Sequence, residues 1–204
     1  MTMPSMVELG PELTLHLRPV LDLSDDTFLA LCALNPDLRL ELTAEGEIVI
    51  MPPTGGETGN RCIAIAATVY LWSRADGTGH AFGSSTGFRL PTGAIRSPDA
   101  SWVRRDRLEA VPREARAKFL PLCPDFVIEL RSPSDRLAYV QAKMDEYMAN
   151  GARLGWLVDP VERTVHVYRP DSPPALLVAP ERLSGEPELP GLSLELAEIW
   201  QPLV

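Results

Sequence analysis

The chain is poor in the residues that carry most nucleophilic and metal chemistry, with three cysteines and three histidines among 204 residues. Cys32, Cys62 and Cys123 lie far apart and show no Cys-x-x-Cys spacing, which argues against a disulfide framework or a zinc site. They read as small core hydrophobes. His16, His80 and His166 are scattered, and no Gly-x-Ser-x-Gly elbow is present, so an acyl hydrolase has no support. A phosphate-binding P-loop is missing too, and Gly77-Thr78-Gly79 is only a turn. The longest apolar stretch, Cys62 to Trp72, is far shorter than the roughly 20 residues of a membrane span. Met1 to Pro11 carries acids and prolines rather than a basic, then apolar, leader pattern. A cytoplasmic protein without membrane contact is expected.

Positive charge is also in deficit. Lys and Arg number 19 against 28 Asp and Glu, for a net charge of −9. That balance weighs against a protein that coats nucleic acid, because such affinity comes from neutralising phosphates. It leaves room for a local site, where a basic patch or a bound cation reverses the sign. The arginines do cluster, at Arg96, Arg104, Arg105 and Arg107, then Arg113 and Arg116 with Lys118.

What is present reads as one α/β domain over residues 1–204, with a mixed sheet flanked by helices. An N-terminal helix and hairpin span about 20–52, a core about 53–170, and C-terminal strands and a helix about 171–204. Ser24 caps a helix to Leu34, with Asp25 and Asp26 at its positive end. Leu38–Leu42 and Glu47–Met51 form a hairpin turning at Ala44-Glu45-Gly46. A helix runs from Glu57 to Arg74. Strands are expected at His80–Gly83, Thr86–Leu90 and Pro98–Arg104, with Pro91-Thr92-Gly93 turning between the last two. Arg105–Lys118 reads as an exposed excursion with a helical turn. Asp125–Arg131 is the strongest strand, followed by a helix from Arg136 to Asn150 that closes at Gly151. Strands follow at Leu154–Val158 and Thr164–Tyr168, an edge strand at Ala175–Ala179, and a closing helix at Leu194–Trp200.

Three residues depart from their surroundings. Glu129 sits in the middle of an apolar strand, and alternation puts Asp125, Val127, Glu129 and Arg131 on one face. A carboxylate there is costly unless it is paired or metal-bound, and Arg131 is one available partner. Asp99 follows Pro98 at the start of a strand, where it can present a carboxylate or hydrogen-bond its own turn. Lys143 flanks the apolar stripe of Leu137, Val140, Met144, Tyr147 and Met148, where a lysine can run along the apolar edge. Two carboxylates on neighbouring strands can hold one or two Mg²⁺ ions, which take oxygen ligands. With a lysine nearby, this is the outline of metal-assisted phosphodiester hydrolysis.

Pro98-Asp99, the run Pro124-Asp125-Phe126-Val127-Ile128-Glu129-Leu130-Arg131-Ser132-Pro133-Ser134-Asp135, then Lys143, Tyr147, Gly151 and Gly155-Trp156-Leu157-Val158-Asp159-Pro160 resemble the Uma-two family. That family comprises restriction-endonuclease-like proteins of the PD-(D/E)XK nuclease superfamily. Pro53-Thr54-Gly55-Gly56-Glu57 is similar as well. The likeness extends from the first helix to Leu189-Pro190-Gly191, and the Asp125–Asp135 run is its most specific part. The resemblance implies a restriction-endonuclease-like core and a DNA nuclease using Mg²⁺ or Mn²⁺. Asp99 and Glu129 would be the metal ligands and Lys143 the basic catalytic residue. In the superfamily the lysine usually follows the second acid by two residues, and here Arg131 stands at that position. Arg131 and Glu57 are therefore accessory candidates, although an acid at a helix start is also favourable in itself. Double-strand cleavage calls for two sites, so a homodimer is expected. The alternative is a degenerate member that keeps the fold as a binding or assembly module, which the acidic charge favours.

Overall fold

The computed structural model describes residues 13–203. In chain order the elements are β1 (Leu13–Leu15), α1 (Asp25–Leu34), β2 (Arg39–Leu42), β3 (Ile48–Met51), α2 (Gly56–Asp76), β4 (Gly79–Gly83), β5 (Phe88–Arg89), β6 (Ile95–Arg96), β7 (Ala100–Arg104), α3 (Arg105–Ala110), β8 (Phe126–Leu130), α4 (Leu137–Ala149), β9 (Leu154–Asp159), β10 (Thr164–Arg169), β11 (Ser172–Val178), β12 (Arg182–Ser184), β13 (Ser193–Glu195) and α5 (Ala197–Trp200).

The central sheet has six strands in the order β11-β10-β9-β8-β7-β4. The β8–β9 pair is parallel and the others are antiparallel, so the sheet is mixed, as expected. The parallel step needs a crossover, which α4 supplies. Burial on both faces explains why β8 and β9 read as near-continuous apolar runs, since every residue of both is buried. On one face Phe126, Ile128 and Leu130 pack with Ile65 and Val69 of α2 and with Leu183, Leu192 and Ile199 from the C-terminal segment. On the other face Val127 packs with Val140, Met144 and Tyr147 of α4.

A smaller sheet, ordered β1-β3-β2-β6-β5, leans on α1 through Phe28, Leu42, Ile48 and Ile95. Ser24 caps α1 by accepting the Thr27 N–H at 3.2 Å. The two acids of its first turn also pin it to the body, Asp25 to Arg89 and Asp26 to Lys118. The hairpin turns at Gly46, whose φ of +84° favours glycine.

Some boundaries differ from expectation. The Pro91-Thr92-Gly93 turn leads into β6, a two-residue strand in the smaller sheet, and not directly into β7. Leu194 lies in β13, paired with β12, and only Ala197–Trp200 is helical. The apolar alternation Leu192, Leu194, Leu196 suits a strand that buries one face, and each of the three is buried. The Arg105–Lys118 excursion holds α3 and buries Leu108 and Val111, so it is anchored and not wholly exposed. Trp200 packs against the core and donates to the Pro180 carbonyl at 3.0 Å, whereas Leu203 is exposed. The three cysteines are free. Among the described residues no helix is long and apolar enough to cross a membrane.

The β4–β7 pairing that completes the sheet depends on a close backbone approach at Gly79. A Cβ there would lie 2.3 Å from the Val103 carbonyl oxygen and 2.4 Å from the Trp102 ring. Gly79→Ala is expected to lower stability by roughly 1–3 kcal/mol through overpacking. Gly83→Ala, on the same strand with nothing within 4 Å, is expected to change it by no more than about 0.5 kcal/mol. Urea denaturation of both proteins checks the pair.

Candidate functional site

Antiparallel register between β7 and β8 pairs Ala100 with Ile128 and Ser101 with Val127. Carried one residue further, it sets Asp99 directly across from Glu129. Opposed residues of an antiparallel pair project to the same side, so the two acids share a face. Asp99 lies one residue before β7, half-buried, and its Oδ2 accepts the Leu130 N–H at 2.9 Å. That bond ties the aspartate to the strand carrying the glutamate. Asp125, at the other end of β8, has a separate role. Its buried carboxylate accepts the Arg104 N–H at 2.9 Å and pairs with Arg107 at 3.0 Å, fastening β7 and α3.

α4 crosses the Glu129 face with Val140, Met144 and Tyr147 buried. Lys143 is buried as well, with its chain alongside Val140 and Tyr147 and its ammonium inside the pocket. Its Nζ stands 2.9 Å from Glu129 Oε1 and 3.2 Å from Glu41 Oε1. The Tyr147 hydroxyl donates to the same Glu129 oxygen at 2.9 Å. Asp99, Glu129 and Lys143 thus line one pocket, together with Arg39, Thr58 and Tyr139.

The two accessory candidates are placed elsewhere. Arg131 pairs with the buried Asp159 at 2.7 Å and donates to the Asp135 carbonyl at 3.1 Å, outside the pocket lining. Glu57 stands in the first turn of α2, paired with Arg61 at 3.3 Å and with its side chain 65% exposed.

Glu41 is the member that sequence reasoning missed. It is fully buried on β2, paired with Lys143, with Arg96 at 3.1 Å, and accepting the Ser97 N–H at 2.9 Å. Arg96 in turn reaches Glu146 of α4 at 2.6 Å. The signal was available, because Leu40-Glu41-Leu42 sets an acid inside an apolar strand just as Ile128-Glu129-Leu130 does.

The electrostatics separate the three carboxyls. Burial pushes Glu129 up to about 7, reinforced by the nearby Asp99 and Glu41 charges and opposed by Lys143. Burial also raises Asp99, against the Leu130 N–H and Lys143. Glu41 ends below its ordinary value, because Lys143 and Arg96 outweigh its burial. Lys143 is held above the ordinary lysine range, its burial being outweighed by Glu129 and Glu41. The pocket therefore keeps one ammonium firmly charged beside two carboxylates short of positive partners.

Such a pair is suited to a hard divalent cation. Among the described residues no hydrogen bond reaches Asp99 Oδ1 or Glu129 Oε2, so each acid has an oxygen to offer. Also among these residues, no group of three or more His, Cys, Asp or Glu side chains is placed to hold a metal. Two carboxylates suffice for Mg²⁺ or Mn²⁺, which keep several waters, and do not suit zinc.

Removing Glu41 would leave Lys143 and Arg96 buried with less compensation. Glu41→Ala is expected to lower stability by about 3–5 kcal/mol in urea denaturation. The raised Glu129 carboxyl gives a pH signature. Its stabilising contribution is complete below about 4.5 and is lost as pH rises through about 7, and Asp99 acts in the same direction. Glu41 acts oppositely, with its contribution lost only in acid. In EDTA the melting temperature is expected to fall from about pH 5 to about pH 8, and Mg²⁺ should restore it more at the upper end. A flat melting temperature across that window would show that Lys143 alone balances the two acids.

The comparisons with known proteins bear on the family and the fold. A family model named Uma2 and described as "Putative restriction endonuclease" matches residues 25–197. Among solved structures, one described as a "putative nuclease belonging to DUF820" from Anabaena variabilis aligns with a TM-score of 0.72 at 25% identity. The alignment covers 87% of this chain and 97% of that one. No curated protein matches the sequence.

Proposed function

We propose, from the premise that this chain belongs to the Uma2 family, that it is a divalent-metal-dependent nuclease hydrolysing DNA phosphodiester bonds. The observation that carries this reading is the meeting of Asp99, Glu129 and Lys143, far apart in sequence, in one pocket. Asp99 and Glu129 would hold Mg²⁺ or Mn²⁺ through the oxygens that no hydrogen bond occupies. A cation held there supplies Lewis acidity toward a phosphate oxygen and makes a water more acidic.

The remaining roles belong to the protein. Lys143 and Tyr147 grip Glu129 through one oxygen, which fixes the carboxylate's orientation. The Lys143 ammonium can donate to an attacking water or to a phosphate oxygen as negative charge develops. Arg96, paired with both Glu41 and Glu146, ties the Lys143 partner Glu41 to the helix that carries Lys143. A homodimer would bring two such sites to one duplex.

One observation favours a second reading. The Lys143 charge is already matched by Glu129 and Glu41, as it would be in a purely structural ion cluster. A degenerate member acting as a binding or assembly module would look the same in this respect.

Cleavage of plasmid, linear and single-stranded DNA with Mg²⁺ or Mn²⁺ separates the two. Asp99→Ala is expected to abolish cleavage, and Lys143→Gln to lower kcat by about 10²–10³. Arg131→Gln is expected to lower stability and leave the specific activity of the folded fraction near wild type. No cleavage of any substrate, together with no heat of Mn²⁺ binding by calorimetry, would favour the module. Loss of activity in Arg131→Gln without loss of stability would move the basic role to Arg131.

A further inference from the structure

Beside the carboxylate pair, the same pocket carries a second set of groups that the hydrolytic roles leave unused. Arg39 and Lys143 are the cations among its described lining residues. Lys143 is committed to two glutamates. Arg39 makes no ion pair among the described residues. Its Nη2 donates to the Ser84 carbonyl at 3.3 Å, and its charge is felt at Asp99.

Arg39 pairs in register with Met51, the last residue of β3, and Pro52 to Gly55 lead from there straight to α2. The hairpin end and the start of a 21-residue helix therefore meet at the pocket. The helix cap is Gly55, which offers no side-chain acceptor, so among the described residues the first-turn N–H groups have no side-chain partner. Thr58 is only 7% exposed, lines the pocket, and makes no hydrogen bond through its hydroxyl among the described residues. That hydroxyl is not among the sealed polar atoms without a partner, so it is open to a ligand in the pocket. Glu57, the acid that would repel an anion at this turn, is engaged by Arg61 at 3.3 Å and does not line the pocket.

A guanidinium, the start of a helix and a threonine hydroxyl at one pocket suit the anionic oxygens of a phosphate. We propose that Arg39, the first-turn N–H groups of α2 and the Thr58 hydroxyl form a subsite for a DNA backbone phosphate beside the one that is cut. The subsite rests on the nuclease reading and adds to it the contact that seats the substrate. It also gives an acidic protein one positive contact for a polyanion at the pocket, Arg39.

The test uses a fluorescently labelled DNA duplex, with Ca²⁺ in binding assays and Mg²⁺ in cleavage assays. Arg39→Gln and Thr58→Val are each expected to raise Kd and KM about tenfold while kcat changes much less. Arg39→Gln should also reduce the slope of log binding constant against log salt by about 1. Arg39→Lys and Thr58→Ser, which keep the charge and the hydroxyl, should recover most of the binding, and failure to recover would overturn the subsite. Wild-type Kd, KM and salt slope in Arg39→Gln and Thr58→Val would overturn it while leaving the nuclease reading intact. Wild-type protein that neither binds nor cuts the duplex would overturn both.

Discussion

The structure of the pocket depends on one buried ammonium. Lys143 comes from α4, and its two anions come from β8 and from the hairpin strand β2. A charge taken out of water this far is tolerable only when matched and hydrogen-bonded. The three elements must therefore be brought together before the lysine can be buried. Arg96 extends the constraint, because it links Glu41 back to Glu146 on the same helix as Lys143. The small sheet is thus joined to the central sheet by charge at the point where the site lies. Apolar packing adds to it, with Phe88 of the small sheet in one cluster with Val103 and Val127 of the central one.

This arrangement explains how a costly group can be kept available. Lys143 and Tyr147 both engage Oε1 of Glu129, and Leu130 engages Oδ2 of Asp99. Each acid is oriented through one oxygen and has another to offer. Burial then disfavours the ionised forms of both carboxyls, most clearly at Glu129. A divalent cation would relieve that penalty, and its binding would then be linked to stability through the same pair. The parallel acid on the strand, Asp125, shows the contrast. It is satisfied by a backbone N–H and Arg107 and holds β7 and α3 in place.

Much of the fold was legible because the local signals agreed with the tertiary outcome. Ser24, Gly46 and Gly77 punctuate the chain where the caps and turn lie, and the 126–130 run could only be a buried strand. The misjudged elements were those whose form depends on remote partners. β6 is two residues long and exists because Leu42 pairs with Ile95. Ser193–Glu195 extends because β12 is there to receive it, although its neighbours suit a short helix. Glu129 and Asp99 were visible as acids out of place. Glu41 escaped notice although it shares that property, because a hairpin strand gave no reason to expect its face to be covered.

The sequence by itself determined the periodicities, the caps and the presence of acids and a lysine in apolar settings, since these follow from residue types a few positions apart. The tertiary structure alone decided which of those groups meet. Arg131, two residues from Glu129 and on the same face by alternation, lies past the end of β8 and pairs there with Asp159, the last residue of β9. Lys143 and Arg39, remote in the chain, are carried into the pocket by a crossover helix and a hairpin, and Glu41 of the same hairpin pairs with Lys143. Alternation and helical pitch are local rules, but the choice of partner for a buried charge is settled by which surfaces the whole chain brings within about 3 Å of it.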